Sequence, residues 1–150
     1  MSGTAEPAAM ELFDPCTVVP DEAIRAAGAD PAEVSDSLLG TSNDDRFAPC
    51  VWAADSHFVS VTSSTSGLDA IVEDSRYVTR SPVSIAGREE AYSLVRPDPL
   101  GTAPCDVVFA WARGTVMVTS DRMVGTHVGD DDTCALALFA ANTFNPYLPK

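Results

Sequence analysis

The sequence predicts an α+β domain: an antiparallel β-sheet of about five or six strands with N- and C-terminal helices packed on it, held by two disulfides. Three observations carry that expectation. Segments of helical and strand character follow one another as helix, strands, helix, strands, helix, an order that excludes a repeating βαβ unit and favours helices on one face of an antiparallel sheet. The strand-like runs come in pairs around short turns. Finally, Cys16, Cys50, Cys105 and Cys134 are widely and irregularly separated, with no CxxC among them. That spacing suits crosslinks made in an oxidising compartment, whereas structural zinc sites use closely spaced ligand pairs. Spacing alone leaves all the pairings open.

Residues 1–11 are small, polar and proline-containing, the composition of a flexible tether, and the folded domain is expected to span 12–150. Pro20, the acids Asp21 and Glu22, and the stop at Gly28 punctuate a first short helix. From Ala29 to Pro49, Asp30-Pro31, Gly40 and Ser42-Asn43-Asp44-Asp45 interrupt any period, so this stretch reads as a long loop with a turn of helix around Ala32 to Leu39. Cys50 to Ala54 and His57 to Ser63, joined at Asp55-Ser56, form the first hairpin. Leu68 to Tyr77 places Leu68, Ile71, Val72 and Ser75 on one helical face.

Pro82 to Val95 alternates apolar and polar residues about Gly87, a second hairpin. The clearest pair runs from Asp106 to Ala112, turns at Arg113-Gly114 and returns through Thr115 to Ser120. Val107, Phe109 and Trp111 share one face, as do Val116 and Val118, and these are expected to be central strands. A last helix starts in Asp130-Asp131-Asp132-Thr133, where acids suit the helix dipole, and is stopped by Pro146. Its body is apolar all round, which predicts burial against the sheet.

At 150 residues the chain is one domain's worth and can bury a core without depending wholly on crosslinks. Nine basic against twenty-two acidic residues give a net charge of -13, which repels phosphate backbones and anionic lipid headgroups, so nucleic acid is not an expected partner. No apolar run reaches the roughly 20 residues needed to cross a bilayer, and the first residues lack the basic-then-apolar design of a signal peptide. Any membrane attachment is thus expected only through an N-terminal anchor absent from this chain.

Phe13-Asp14-Pro15-Cys16, the helix ending in Ala27-Gly28, Cys50-Val51-Trp52, Phe58-Val59-Ser60-Val61, Leu68-Asp69, Val83-Ser84-Ile85-Ala86-Gly87-Arg88, Cys105-Asp106-Val107, Asp132-Thr133-Cys134 and Leu148-Pro149 occur in this order. In that ordered set, covering roughly residues 12 to 149, the chain resembles an actinobacterial envelope lipoprotein family catalogued as domain of unknown function 3558. The resemblance implies an exported domain tethered by a lipidated N-terminal cysteine, with Cys16 bridged to Cys50 and Cys105 to Cys134. No lipobox or anchoring cysteine precedes Cys16. The resemblance brings no activity with it. The implied pairing is physically reasonable, because Cys105 opens a strand and Cys134 lies in the first turn of the helix expected to cover it, and each bridge would contribute about 3–4 kcal/mol.

Candidate chemistry is sparse. His57 and His127 are the two histidines; neither sits in a nucleophile motif such as GxSxG, and turn or surface roles account for them. Bridged cysteines have no thiolate for catalysis. Asp130-Asp131-Asp132 lacks the alternate spacing of a calcium loop and reads as helix capping, and Asp44-Asp45 as turn chemistry. Glu89 and Glu90, adjacent on a strand, point to opposite faces and form no acid/base dyad. Trp52 and Trp111 are expected in the core near the cysteines, with ligand contact as the sharper reading. Arg76, Arg80, Arg88, Arg96 and Arg113 hold most of the positive charge and would receive an anionic group if they converged on one sheet edge.

These readings predict an extracytoplasmic, non-enzymatic binding module of the cell envelope, without cofactor or metal, whose partner is an envelope protein, a lipid or a small molecule. A hydrolase using a histidine base is the alternative.

Overall fold

The structure, a computed structural model, describes residues 12–35, 47–55, 57–97, 104–122 and 133–150. The expected tether, His127, Asp44-Asp45 and Asp130-Asp131-Asp132 lie outside the described residues.

Among the described residues the architecture is one seven-stranded antiparallel sheet with four α-helices and two disulfides. In chain order the elements are α1 (Pro15–Val18), α2 (Asp21–Ala26), β1 (Ala29–Ser35), β2 (Phe47–Ala54), β3 (His57–Ser64), α3 (Leu68–Val72), β4 (Thr79–Pro82), β5 (Ala91–Val95), β6 (Cys105–Trp111), β7 (Gly114–Arg122) and α4 (Thr133–Phe144), closed by a 3-10 turn over Asn145–Tyr147. The strands lie in the order β1-β2-β3-β7-β6-β5-β4. The sheet thus has one or two strands more than the five or six expected: the edge strand β1 falls where no strand was expected, and the other edge strand, β4, ends at Pro82, where the first strand of the second hairpin was expected to begin.

β1 occupies part of the stretch read as a loop with a helical turn. Its irregularity explains the difference: the pairing with β2 shifts register between Ala29 and Val34, and the Asp30 carboxylate takes the Ala32 N–H at 2.9 Å. An edge strand tolerates Pro31 because one of its sides needs no ladder donors. At the other edge, β4 consists of exposed residues that carry no alternation. The second hairpin is accordingly looser than a glycine turn, with Pro82 opposite Tyr92 and the connection between them dipping Ile85 into the core.

β6 and β7 pair from Cys105↔Ser120 to Trp111↔Gly114. Gly114 is required there, since a Cβ would fall 1.9 Å from the Ser64 carbonyl oxygen. The face carrying Val107, Phe109, Val116 and Val118 joins Cys50, Trp52, Val59 and Val61 in the main core, against Ile24 of α2 and Ala137, Ala140, Ala141 and Phe144 of α4. Apolar side chains of this size stabilise by about 1.5–3 kcal/mol each when fully buried. Both central strands are as the sequence suggests.

Helices do not keep to one face. α3 packs Ile71, Leu68 and Val72 on the opposite side, over Leu94, Val108 and Met117. Nor is α4 buried all round: Ala137, Ala140, Ala141 and Phe144 face the sheet, whereas Phe139 is 56% exposed. Its twelve residues carry no charge, so composition could not reveal which side faces solvent.

α1 begins at an Asp14 side-chain cap on the Cys16 N–H, and α2 ends where Gly28 takes φ 91°, a conformation costly for any residue with a Cβ. Cys16–Cys50 binds α1 to β2, and Cys105–Cys134 binds β6 to α4, with Cα separations of 5.4 and 5.1 Å. No helix among the described residues is long and apolar enough to cross a membrane.

Candidate functional site

Three places on the fold gather groups that could carry function, and the residues singled out from sequence are divided among two of them and the surrounding core. The first is a cleft of about 510 Å³ on the main-core side, where α1 and α2 meet the edge of the sheet; Cys16, Asp21, Ile24, Pro31, Val34, Ser35 and Trp52 line it. Its geometry follows from the local sequence. The Asp14 cap and the Cys16–Cys50 bridge hold α1 against β2, while β1, whose pairing shifts register between Ala29 and Val34, contributes Pro31 and a Val34 that is 49% exposed. The cleft is open to solvent. Trp52 forms its floor, only 1% exposed and 5.9 Å from the Phe144 ring. A neighbouring hollow of about 450 Å³ is bordered by Asp30, Glu33 and Asp55, which gives this end of the sheet a negative rim.

The second place is a buried polar network on the opposite face, and sequence reasoning missed it. Asp106 is 1% exposed. Its carboxylate accepts the Tyr77 hydroxyl at 2.7 Å, an Arg96 guanidinium N–H at 3.1 Å and the Thr119 hydroxyl. These three donors explain how an acid is accommodated in a core strand. Burial first, and then the Asp106 charge, hold the Tyr77 phenol far above its ordinary range. Asp121, on β7 two residues beyond Thr119, is pushed up to about 6, mainly by burial; Arg96 opposes the shift and Asp106 adds to it. The one available signal was a lone acid opening a run of strand residues at Asp106.

The third place is the arginine set, which the fold divides. Arg76, Arg80 and Arg96 gather at the corner where β4 starts and β5 ends, and Arg88 lies at the other end of those strands. All four are engaged internally. Arg76 forms a surface ion pair with Asp74 at 2.8 Å; that hydrogen bond raises the guanidinium and lowers the carboxyl from their ordinary values. Arg80 donates to the Val72 and Asp74 carbonyls that end α3. Arg88 lies 4.6 Å from the Phe109 ring centroid and donates to Asn145 and to the Leu148, Pro149 and Ala110 carbonyls. Burial lowers its pKa. Arg113 sits in the β6–β7 turn.

Trp111, half-buried, packs edge-on against Phe13 at 5.1 Å and donates its indole N–H to the Ser64 carbonyl at 3.2 Å. His57 opens β3, opposite Arg122 of β7. No group of three His, Cys, Asp or Glu among the described residues is placed to hold a metal ion.

Fold and site together define a disulfide-stapled α+β domain with a single seven-stranded sheet and an open cleft beside one of its bridges. The model of the family described as "Protein of unknown function (DUF3558)" matches residues 2–146, and the chain belongs to that family. No curated protein and no solved structure matches it significantly.

Proposed function

We propose that this domain works outside the cytoplasm, at the cell envelope, as a non-enzymatic binding module that receives a protein or peptide partner at the cleft between α1, α2 and β1. The observation that carries the reading is the pair of bridges. All four cysteines are joined, Cys50 and Cys105 lie fully buried within the core, and no cysteine is free. Bridges built this deeply into a fold belong to proteins that mature under oxidising conditions.

The form of the cleft favours a protein surface over an enclosed lipid. It is open, its aromatic floor is already packed against Phe144, and what it offers a partner is Val34, Pro31 and Asp21, with Asp30, Glu33 and Asp55 in the neighbouring hollow. An extended segment with an apolar side chain flanked by basic ones has the complementary chemistry. Non-specific attraction to phosphate is opposed by the net charge of -13.

A photo-reactive residue at Val34, in protein expressed in its native host, tests this. The expected result is a discrete adduct with an envelope protein that Asp30→Lys/Glu33→Lys abolishes; the same probe at Phe139 serves as the control. Native mass spectrometry of the same material is expected to give the mass of the bare chain. A co-purifying lipid would instead establish carriage, and four free thiols in unreduced protein would remove the extracytoplasmic assignment.

A further inference from the structure

The two disulfides differ in what surrounds the sulfur that reduction would release. Cys50 is fully buried in the main core with Trp52 and Val61, and among the described residues no hydroxyl hydrogen-bonds its sulfur. Cys105 is equally buried but lies between two serines on the same face of the sheet. The Ser93 Oγ is 3.3 Å from the Cys105 Sγ, and since a disulfide sulfur carries no hydrogen, the hydroxyl is the donor. Ser120 stands directly across from Cys105 in the β6–β7 register. It is wholly buried, and its Oγ has no hydrogen-bond partner among the described residues.

An unsatisfied buried hydroxyl costs about 1–3 kcal/mol and calls for an explanation. A thiolate at Cys105 supplies one, because it is a far stronger acceptor than a disulfide sulfur and would receive both serine hydroxyls. The other half of each bridge is reachable, since Cys134, second residue of α4, and Cys16 are both half-buried, so the surroundings of the leaving sulfur decide between them.

We propose that Cys105–Cys134 is a thiol-exchange site for a dithiol reductant, with Cys134 the sulfur attacked and Cys105 the leaving group. A thiolate of the dithiol attacks the Cys134 Sγ; the Cys105–Cys134 bond breaks, its electron pair stays on Cys105, and a mixed disulfide forms at Cys134. The second thiol of the reductant, as thiolate, then attacks its own sulfur in that mixed disulfide, closing a cyclic disulfide and releasing Cys134 as thiolate. Two electrons pass from the dithiol to the protein, and the protons of the two reductant thiols end on Cys105 and Cys134 through solvent. Exchange is faster when the leaving thiolate is stabilised, which is what Ser93 and Ser120 supply to Cys105 and nothing described supplies to Cys50. The step frees the first turn of α4 from β6, while Ala137, Ala140, Ala141 and Phe144 keep the rest of the helix on the core. This inference does not depend on what occupies the cleft.

The test uses the intact oxidised chain under native conditions, treated with dithiothreitol, quenched at intervals, alkylated and mapped by peptide mass spectrometry. Label is expected at Cys105 and Cys134 well before Cys16 and Cys50, and glutathione in place of the dithiol should leave its adduct on Cys134. Ser120→Ala removes a hydroxyl that bonds nothing in the oxidised protein, so the variant should fold normally. It should slow opening of this bridge by about fivefold, the worth of one hydrogen bond, and leave the Cys16–Cys50 rate unchanged; Ser93→Ala should act likewise. Earlier opening of Cys16–Cys50, simultaneous labelling of all four cysteines, an adduct on Cys105, or wild-type rates in both serine variants would each overturn the proposal.

Discussion

Asp121 offers a sharp test of the electrostatics of the sheet. Its side chain is half-buried on β7, and burial lifts its pKa from 3.8 to about 6, with Arg96 pulling it down and Asp106 pushing it up. The folded protein therefore holds this proton more tightly than the unfolded chain does. The stabilisation that follows is fully present below about pH 3.8, is lost as pH rises toward 6, and above that the fold carries a poorly solvated charge. A displacement of roughly two pH units corresponds to about 3 kcal/mol, which the partial exposure of the carboxyl reduces to roughly 2. Asp121→Asn keeps the shape and removes the charge. Urea denaturation of both proteins should show the variant more stable by roughly 2 kcal/mol at pH 7.5, and most of that gap should close by pH 4, since titrating groups remote from Asp121 cancel in the comparison. A variant no more stable at pH 7.5, or a gap that does not change with pH, would refute the reasoning.

Three further outcomes are expected. Tyr77→Phe removes one of the donors to Asp106 and should cost about 1.5–3 kcal/mol in chemical denaturation, the range for a hydrogen bond to a charged group, whereas Tyr92→Phe, whose hydroxyl reaches only the exposed Glu90, should be near neutral. Gly114→Ala drives a methyl into the Ser64 carbonyl; loss of the β6–β7 turn should appear as a fall in melting temperature of several degrees. Arg88→Met keeps the contact with Phe109 but loses the hydrogen bonds to Asn145, Leu148 and Pro149, so amide exchange should accelerate over residues 145–150 and stay unchanged in β3.

The sequence carries the centre of the fold better than its margins. Val107, Phe109, Val116 and Val118 alternate because both strands have one face in the main core, and that periodicity, with Gly114 between them, identifies the pair. Pro20 and Gly28 bracket α2 for equally local reasons, the expected helix reaching one residue beyond the observed one at each end. β1 and β4 leave no such trace. Edge strands answer to one neighbour only, so Asp30-Pro31 in β1 reads as part of a loop, and the exposed Thr79–Pro82 falls between the helix expected to end at Tyr77 and the hairpin expected to begin at Pro82. The polar network was hidden for another reason: Tyr77, Arg96, Asp106, Thr119 and Asp121 come from four separate segments and meet only when β5, β6 and β7 are in register. The arginines illustrate the converse. Their crowding along the chain leaves open whether they share a surface or are scattered over the solvated one, and the fold sends Arg88 to the opposite end of the β4–β5 pair.

The bridge from Cys16 to Cys50 has a mechanical consequence. A load drawn on the chain ahead of residue 12 would first meet Phe13, held by its carbonyl to the Ser63 hydroxyl and by its ring to Trp111. Past that point the force does not unwind α1 and α2 in turn, because it crosses two sulfur atoms into β2. It is then borne by β2 and the ladders that pair it with β1 and β3, so tension at that end loads the sheet instead of unzipping helices.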